Sequence, residues 1–140
     1  RVMVISEFIS LQTKGFNDPI DITPQVINIV ERSKIGNGMG TVFCPGSTGA
    51  VTTVEYESGL LEDLKKAIER IAPSDIPCAH DRRWGHGNGY SHVRAAMVGP
   101  SLTVPIIHGA LALGTWQQIV FIDFDNRKRQ RKIIVQVMGE

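Results

Sequence analysis

The stretch from residue 78 to residue 92 constrains this chain most, because it is too polar and too rich in glycine to fill a core. It reads Cys-Ala-His-Asp-Arg-Arg-Trp-Gly-His-Gly-Asn-Gly-Tyr-Ser-His and holds three of the four histidines in the chain. Patterns typical of strands and helices precede it, whereas only strand patterns follow it. We therefore expect a loop whose residues serve chemistry rather than packing.

The size and composition of the chain indicate one ordinary globular domain. Its 140 residues are 42% apolar and 21% charged, and this length suffices for a hydrophobic core. The net charge of +1 argues against a nucleic-acid partner, which normally requires a basic face. No apolar run approaches the roughly 18 residues that span a bilayer, so we expect no membrane partner and a cytoplasmic location. Cys44 and Cys78 are expected to be reduced thiols.

The first half of the chain predicts a mixture of strands and helices. Apolar, β-branched runs predict strands at residues 1–10, 40–45 and 50–55. Thr23 and Pro24 predict a helix start, and this helix should run to about Ile35. A second helix is expected from Ser58, its cap, to about Ala72, because leucine and isoleucine recur at helical spacing.

The second half predicts strands at residues 93–99, 102–107, 110–125 and 130–138. The segment 110–125 is long enough for one bent strand or for two. The whole chain, residues 1–140, is therefore expected to form a single α+β domain. Its large, mainly antiparallel sheet should carry two helices packed on one side.

The spacing of His80, His86 and His92 by six residues each suggests a metal site. Imidazole is the commonest ligand of transition metals, and catalytic zinc takes three protein ligands plus water. Asp81 or Asn88 could orient a ligand imidazole, and Cys78 is an alternative ligand. A surface loop whose histidines act separately is the competing interpretation.

Three further features suggest ligand contacts, each with a structural alternative. The Gly-Ser-Thr-Gly loop containing Ser47 and Thr48 offers hydroxyl and N–H groups to an anion, or simply connects two strands. Gln117, beside a tryptophan, could contact a ligand or belong to an interface. Arg129 and Arg131 would share a strand face and could bind phosphate, or belong to a solvated hairpin tip.

Several motifs together resemble the YjbQ family, whose members are called secondary thiamine-phosphate synthase enzymes. They are the residues around His80-Asp81, the block from Asn88 to Ser101 with its Ser-His-Val-Arg core, Leu-Gly-Thr-Trp-Gln at 113–117, and the ending from Arg129 to Gly139-Glu140. The resemblance covers nearly the whole chain and is densest from residue 78 onward.

The resemblance implies a compact α+β fold, a homotrimer, and a histidine-lined pocket near subunit interfaces that holds a divalent metal, often zinc. It also implies a weak thiamine-phosphate synthase activity, which joins the pyrimidine diphosphate and thiazole phosphate precursors and releases pyrophosphate. The expected metal ligands are His80, His86 and His92. Glu55, His86 and Arg94 are expected to assist catalysis. The residues expected to bind the small phosphorylated metabolite are Ser47, Thr48, Asn88, Ser91, Gln117, Arg129 and Arg131.

One position departs from the resemblance. Where the family motif usually begins with histidine, as His-Thr-Thr-Ala, this chain has Gly46 followed by Ser47, Thr48 and Gly49. His86 is then the expected replacement ligand, with Glu55 matching the family's acid. Two alternatives to the synthase stay open: a trimeric protein that binds a phosphorylated metabolite without turnover, and a metal-dependent hydrolase.

Overall fold

A computed structural model describes residues 1–140 as eight strands and four helices. The strands are β1 (Met3–Thr13), β2 (Asp18–Asp21), β3 (Gly38–Phe43), β4 (Gly49–Val54), β5 (Ser101–Ile107), β6 (Ala110–Leu111), β7 (Gln118–Asp123) and β8 (Arg129–Gly139). The helices are α1 (Thr23–Ser33), α2 (Ser58–Ile71), α3 (Ala79–Trp84) and α4 (Gly89–Val98). None of these helices is long and apolar enough to span a membrane.

The strands form two antiparallel sheets. The larger sheet has five strands in the order β1-β8-β3-β5-β6, and the smaller has three in the order β2-β7-β4. The long strands β1 and β8 pair from Met3 opposite Gly139 to Thr13 opposite Arg129. β3 is shorter, and its last pair with β8 joins Phe43 to Ile134. The beginning of β8, residues 129–133, therefore extends beyond β3.

The smaller sheet lies between two hydrophobic clusters. Ile119 and Phe121 of β7 belong to the core that also contains α1 and the inner face of the larger sheet. Val120 and Ile122, on the opposite face of β7, pack with residues of α2 and α4. Because both faces of β7 are covered, this strand is almost continuously apolar rather than alternating. Its carboxyl end carries the aspartates of the cavity described below.

The α+β class and the antiparallel pairing are confirmed, but the number of helices was underestimated. Of the strand predicted at residues 93–99, residues 93–98 belong to α4 and Gly99 caps it, and the predicted loop from 78 to 92 contains α3 and the start of α4. The buried residues Ser91, Arg94 and Ala95 recur at helical spacing. Val93 and Met97 are exposed, so the apolar residues of this segment do not mark its buried face.

The two helices predicted in the first half are confirmed, with different caps. Ile22 occupies the N-cap position of α1, and the Thr23 hydroxyl instead accepts a hydrogen bond of 2.8 Å from the Ile119 N–H. Glu57 rather than Ser58 caps α2, because its carboxylate accepts hydrogen bonds from the backbone N–H groups of Gly59 and Leu60. The predicted strand at 110–125 is two strands, β6 and β7, and the short β2 was not predicted.

Candidate functional site

A polar cavity of about 500 Å³ opens where β7 ends and β8 begins. It is lined by the loop after β3, the turn between β7 and β8, the start of β8, the α3–α4 connection and the first turn of α4. No hydrophobic residue lines it. The lining residues are Pro45, Gly46, Ser47, Thr48, His86, Asn88, His92, Asp125, Asn126, Arg127, Arg129 and Arg131.

Arg131 forms the floor of this cavity and is held by a buried ion pair with Asp123. Its Nε donates to Asp123 Oδ2 and its Nη2 donates to Oδ1, both at 2.9 Å. Nη2 also donates to the Thr48 hydroxyl at 2.8 Å, and the Thr13 hydroxyl donates to Asp123. Burial raises the pKa of Asp123, but hydrogen bonds from Arg131 and Thr13 outweigh it, so the pKa is lowered overall. Both side chains are therefore charged.

Asp125 organises the cavity wall. Its carboxylate accepts hydrogen bonds from the Thr48 hydroxyl at 3.2 Å and the Asn88 amide at 3.3 Å, and it forms an ion pair with Arg129. Burial alone would raise the pKa of Asp125. The hydrogen bonds from the Asn126 backbone N–H and from these side chains outweigh burial, so the pKa is lowered overall. This carboxylate therefore ties three separate chain segments to the end of β7.

The remaining amino group of Arg131, Nη1, makes no hydrogen bond in the structure and lies beside Gly46. A Cβ atom at position 46 would stand 3.3 Å from this nitrogen, and the φ of +151° disfavours any side chain there. Glycine therefore leaves space in front of Nη1. The arrangement gives a fixed charged donor next to open volume, which suits an anion.

The three predicted metal ligands lie together, but they do not converge. His86 and His92 line the cavity, and the His80 ring lies behind them, 4.5 Å from the His92 centroid and 6.5 Å from that of His86. The buried Nδ1 of His80 has no hydrogen-bond partner. The imidazoles have the right chemistry for zinc, yet no three His, Cys, Asp or Glu side chains are arranged to hold one ion. The residues as placed do not fit a three-ligand metal centre.

The histidines instead add a titratable group to the cavity. Burial lowers the pKa of His92 below its ordinary value of 6.5, and the neighbouring His80 adds to this effect. At neutral pH the His92 imidazole is consequently uncharged. A neutral imidazole beside arginines can accept a proton from a bound molecule.

Six of the residues expected to contact a ligand or catalyse line this cavity: Ser47, Thr48, His86, Asn88, Arg129 and Arg131. His92, expected only as a metal ligand, lines it as well.

Arg94 and Ser91, in contrast, lie outside the cavity. The Arg94 side chain is buried, where it donates to the Ala72 carbonyl at 3.0 Å and pairs with Glu69 at 2.9 Å. Ser91 donates to the Phe124 carbonyl and is fully buried. Both residues join α4 to its neighbours, so within this chain their contacts are structural.

Glu55 and Gln117 lie at the opposite end of the smaller sheet. Glu55 follows the last residue of β4, whereas the cavity loop precedes the first; six residues of strand separate them by roughly 20 Å. The Gln117 amide donates to the Thr53 hydroxyl at 3.2 Å at that same distant end. Neither side chain lines the cavity.

The sequence analysis did not identify Asp123 and Asp125 as residues of the site. Both are buried, with 0% and 1% exposure. Arg127 and Asn126 also line the cavity without having been predicted. The available signal was the pair of aspartates that directly continues an apolar strand, followed within six residues by three arginines at 127, 129 and 131.

Fold and cavity together define a small α+β protein with an arginine-lined polar cavity at the end of its central strand. The chain belongs to the family described as UPF0047 protein YjbQ-like, whose model matches residues 7–140. The family resemblance stated from the sequence is thereby confirmed.

Relatives and solved structures agree with this assignment. A UPF0047 protein of Methanothermobacter thermautotrophicus is 39% identical over 98% of this chain and 94% of its own length. The UPF0047 protein YugU of Bacillus subtilis is 32% identical over 94% of this chain and 97% of its own length. The crystal structure of a YbjQ-like protein from Sulfolobus solfataricus superimposes with a TM-score of 0.88 at 31% identity, covering 99% of this chain and all of that one.

Proposed function

We propose that the cavity binds the phosphate group of a small phosphorylated metabolite. The observation that carries this proposal is the unpaired Nη1 of Arg131, which is held in place from behind by Asp123 and faces the space left by Gly46. Because the guanidinium is already ordered, binding an anion costs little additional side-chain entropy.

The charge of the cavity supports an anionic ligand. Asp123 and Asp125 compensate Arg131 and Arg129, whereas Arg127 is exposed and in no ion pair. Three arginines against two aspartates leave one excess positive charge, and the hydroxyl and backbone N–H groups of the Ser47–Thr48 loop add donors. A volume of about 500 Å³ suits a small molecule rather than a polymer.

Calorimetric titration with inorganic phosphate tests this proposal. The wild type should bind phosphate, and Arg131→Gln and Arg127→Gln should each weaken binding about tenfold or more, the loss of one charged contact. Arg127 has no structural partner, so its variant should fold normally even if that of Arg131 does not. Lys128→Gln removes the same charge from an exposed neighbour outside the cavity and should bind as the wild type does. Equal affinities in all four proteins would contradict the proposal.

A second candidate, a synthase of the thiamine-phosphate type, is favoured by the excess positive charge of the cavity. Arg127 and Arg131 would stabilise the departing pyrophosphate as its C–O bond breaks and the ring nitrogen of the thiazole phosphate forms the new C–N bond. This activity is the one that the family resemblance implies. A hydrolase would use the same arginines with water as acceptor, and the neutral His92 imidazole would take the proton of that water.

Mass spectrometry of the products separates these possibilities. The protein is incubated with the pyrimidine diphosphate and thiazole phosphate precursors together, and with the diphosphate alone. Thiamine phosphate formed by the wild type and lost in Arg127→Gln indicates the synthase, whereas phosphate or pyrophosphate released from the diphosphate alone, and lost in His92→Gln, indicates a hydrolase. Phosphate binding without either product supports a ligand-binding protein.

We also propose that the chain forms a homotrimer through the outer face of the larger sheet. Cross-strand pairing places Phe8 opposite Ile134 and Ile134 opposite Phe43, and Val4 and Met39 both lie opposite Met138. Ile134 is half-buried and the other five side chains are exposed, and such an apolar row is typical of an interface. Light scattering should give the mass of three chains, and Phe8→Glu should give that of one; a monomeric wild type would refute the trimer.

Zinc binding by His80, His86 and His92 stays a prediction, and no step proposed above passes through a metal. The cytoplasmic location expected from the composition also stays a prediction. Elemental analysis of the purified protein tests the metal prediction directly.

A further inference from the structure

A second cavity, of about 560 Å³, lies beside the first and shares three of its lining residues. The shared residues are Pro45, Arg129 and Arg131. The others belong to β1 and β8: Ser10, Leu11, Gln12, Gln130 and Lys132. The two cavities therefore adjoin along one short segment of β8.

The end of β3 creates this arrangement. β8 pairs with β3 only from Ile134 onward, so the segment from Arg129 to Lys132 has a strand neighbour, β1, on one side alone. Successive side chains of a strand point to opposite faces. Arg131 accordingly points inward to the first cavity, and Lys132 points to the outer face of the sheet.

The lining of the second cavity favours an anionic group. No acidic residue lines it, and only one hydrophobic residue does. The Lys132 ammonium group lies 5.9 Å from the Phe8 ring centroid and takes part in no ion pair of the structure. Ser10, Gln12 and Gln130 contribute neutral hydrogen-bonding groups nearby. Within the chain this cation is therefore free to meet a ligand, as Arg127 is in the first cavity. Because its neighbour Phe8 belongs to the apolar row proposed as the trimer interface, the second cavity would open at the rim of that interface.

We infer that the natural ligand is a small bisphosphorylated molecule, which places one phosphate at Arg131 and the other at Lys132. This inference rests on the proposed function, since the first phosphate occupies the cavity described above. Arg129 lines both cavities and would face the middle of such a ligand. Joining two phosphates in one molecule makes the second contact intramolecular, which raises affinity without any further change in the protein.

A series of alkanediol phosphates tests the inference by calorimetry. Ethane-, butane- and hexanediol monophosphates are compared with the matching bisphosphates, using the wild type, Lys132→Gln and the control Lys128→Gln. At the best chain length we expect the bisphosphate to bind the wild type and the control about tenfold or more tightly than the monophosphate. Lys132→Gln should lose this gain and should bind monophosphates normally.

The outcomes distinguish failure of this inference from failure of the proposed function. If monophosphates bind and no bisphosphate gains more than the twofold statistical factor of having two ends, the inference is overturned and the function stands. A gain that Lys132→Gln retains also overturns it, because the second phosphate then lies elsewhere. If no phosphate of the series binds the wild type, the proposed function fails and the inference fails with it.

Discussion

Arg131 and Asp123 face each other across two parallel hydrogen bonds of 2.9 Å, and both side chains are buried. A buried ion pair of this kind rarely adds much stability over apolar packing, because both charges lose their hydration. In this protein the ion pair instead holds the Arg131 guanidinium in position. The pair fixes the guanidinium plane so that Nε and Nη2 are occupied and Nη1 remains beside Gly46.

Removing the charge of Asp123 should therefore damage both stability and binding. Asp123→Asn leaves the Arg131 guanidinium buried without a counter-ion, which typically costs about 3–5 kcal/mol of unfolding free energy. Urea unfolding followed by circular dichroism measures this loss. Asp75→Asn removes the same charge from an exposed residue and should change stability by less than about 0.5 kcal/mol. Equal stabilities of the two variants would show that the ion pair does not organise this region.

A side chain at position 46 should weaken anion binding without removing any charge. In Gly46→Ala, the new Cβ would stand 3.3 Å from Nη1 of Arg131 at a backbone φ of +151°, so phosphate would have to approach over a methyl group. We expect phosphate affinity to fall about tenfold, as measured by calorimetry. Gly114→Ala is the matched control, because this residue lies at the distant end of the smaller sheet. Its new Cβ would stand 3.6 Å from its nearest neighbour, the Gln117 Oε1, which is ordinary contact. Unchanged affinity in Gly46→Ala would place the bound anion away from Nη1.

The lowered pKa of His92 should be visible in solution. In the unfolded chain this imidazole titrates near its ordinary pKa of 6.5, so between that value and the lowered folded pKa the unfolded chain binds more protons. The contribution of His92 to stability is therefore complete above about pH 6.5 and is lost as the pH falls toward the folded pKa.

Nuclear magnetic resonance titration of the four histidines checks this. The His92 ring should titrate below pH 6.5, and His92→Gln should reduce the decrease in unfolding free energy between pH 7.5 and pH 5. His108→Gln, at an exposed turn, serves as the control. A His92 resonance that titrates above pH 6.5 would mean that this imidazole is charged at the cavity.

Phosphate binding should survive removal of divalent metals. The proposed contacts come from Arg127, Arg131 and the Ser47–Thr48 loop, and no three side chains of the histidine group are arranged around one ion. Calorimetry before and after dialysis against a chelator should give the same affinity. Plasma mass spectrometry of the untagged protein and of His92→Ala reports the metal content in parallel. One zinc per chain in the wild type, lost together with phosphate affinity on chelation, would instead support the three-histidine site.

The sequence predicted those parts of the fold in which periodicity and burial agree. The leucines and isoleucines of α2 recur at helical spacing, and its packed face includes Leu64 and Ile68. α4 escaped prediction because Val93 and Met97 are exposed, whereas Ser91 and Arg94 are buried. A polar residue is buried only where partners exist elsewhere in the fold, and periodicity within one segment does not reveal them.

The candidate site was predicted in part for the same reason. Motif residues such as Thr48, Asn88 and Arg131 do meet at one cavity, although long stretches of sequence separate them. In the sequence, Asp123 and Asp125 can simply balance the positive charges of a solvated hairpin tip, and only the structure shows that β7 is covered on both faces. Their partners Thr13 and Thr48 come from other strands and loops, so the buried network depends on tertiary contacts that local patterns do not encode.

The position of a heavy phosphate analogue in a crystal shows directly whether Arg131 presents a phosphate site. Crystals of the wild type and of Arg131→Gln would be soaked in tungstate and measured at its absorption edge. We expect an anomalous peak in the cavity between Arg131 Nη1 and Arg127, and we expect it to be absent from the variant. A wild-type crystal with tungstate bound only elsewhere, or with the same peak in the variant, would contradict the proposed phosphate site at Arg131.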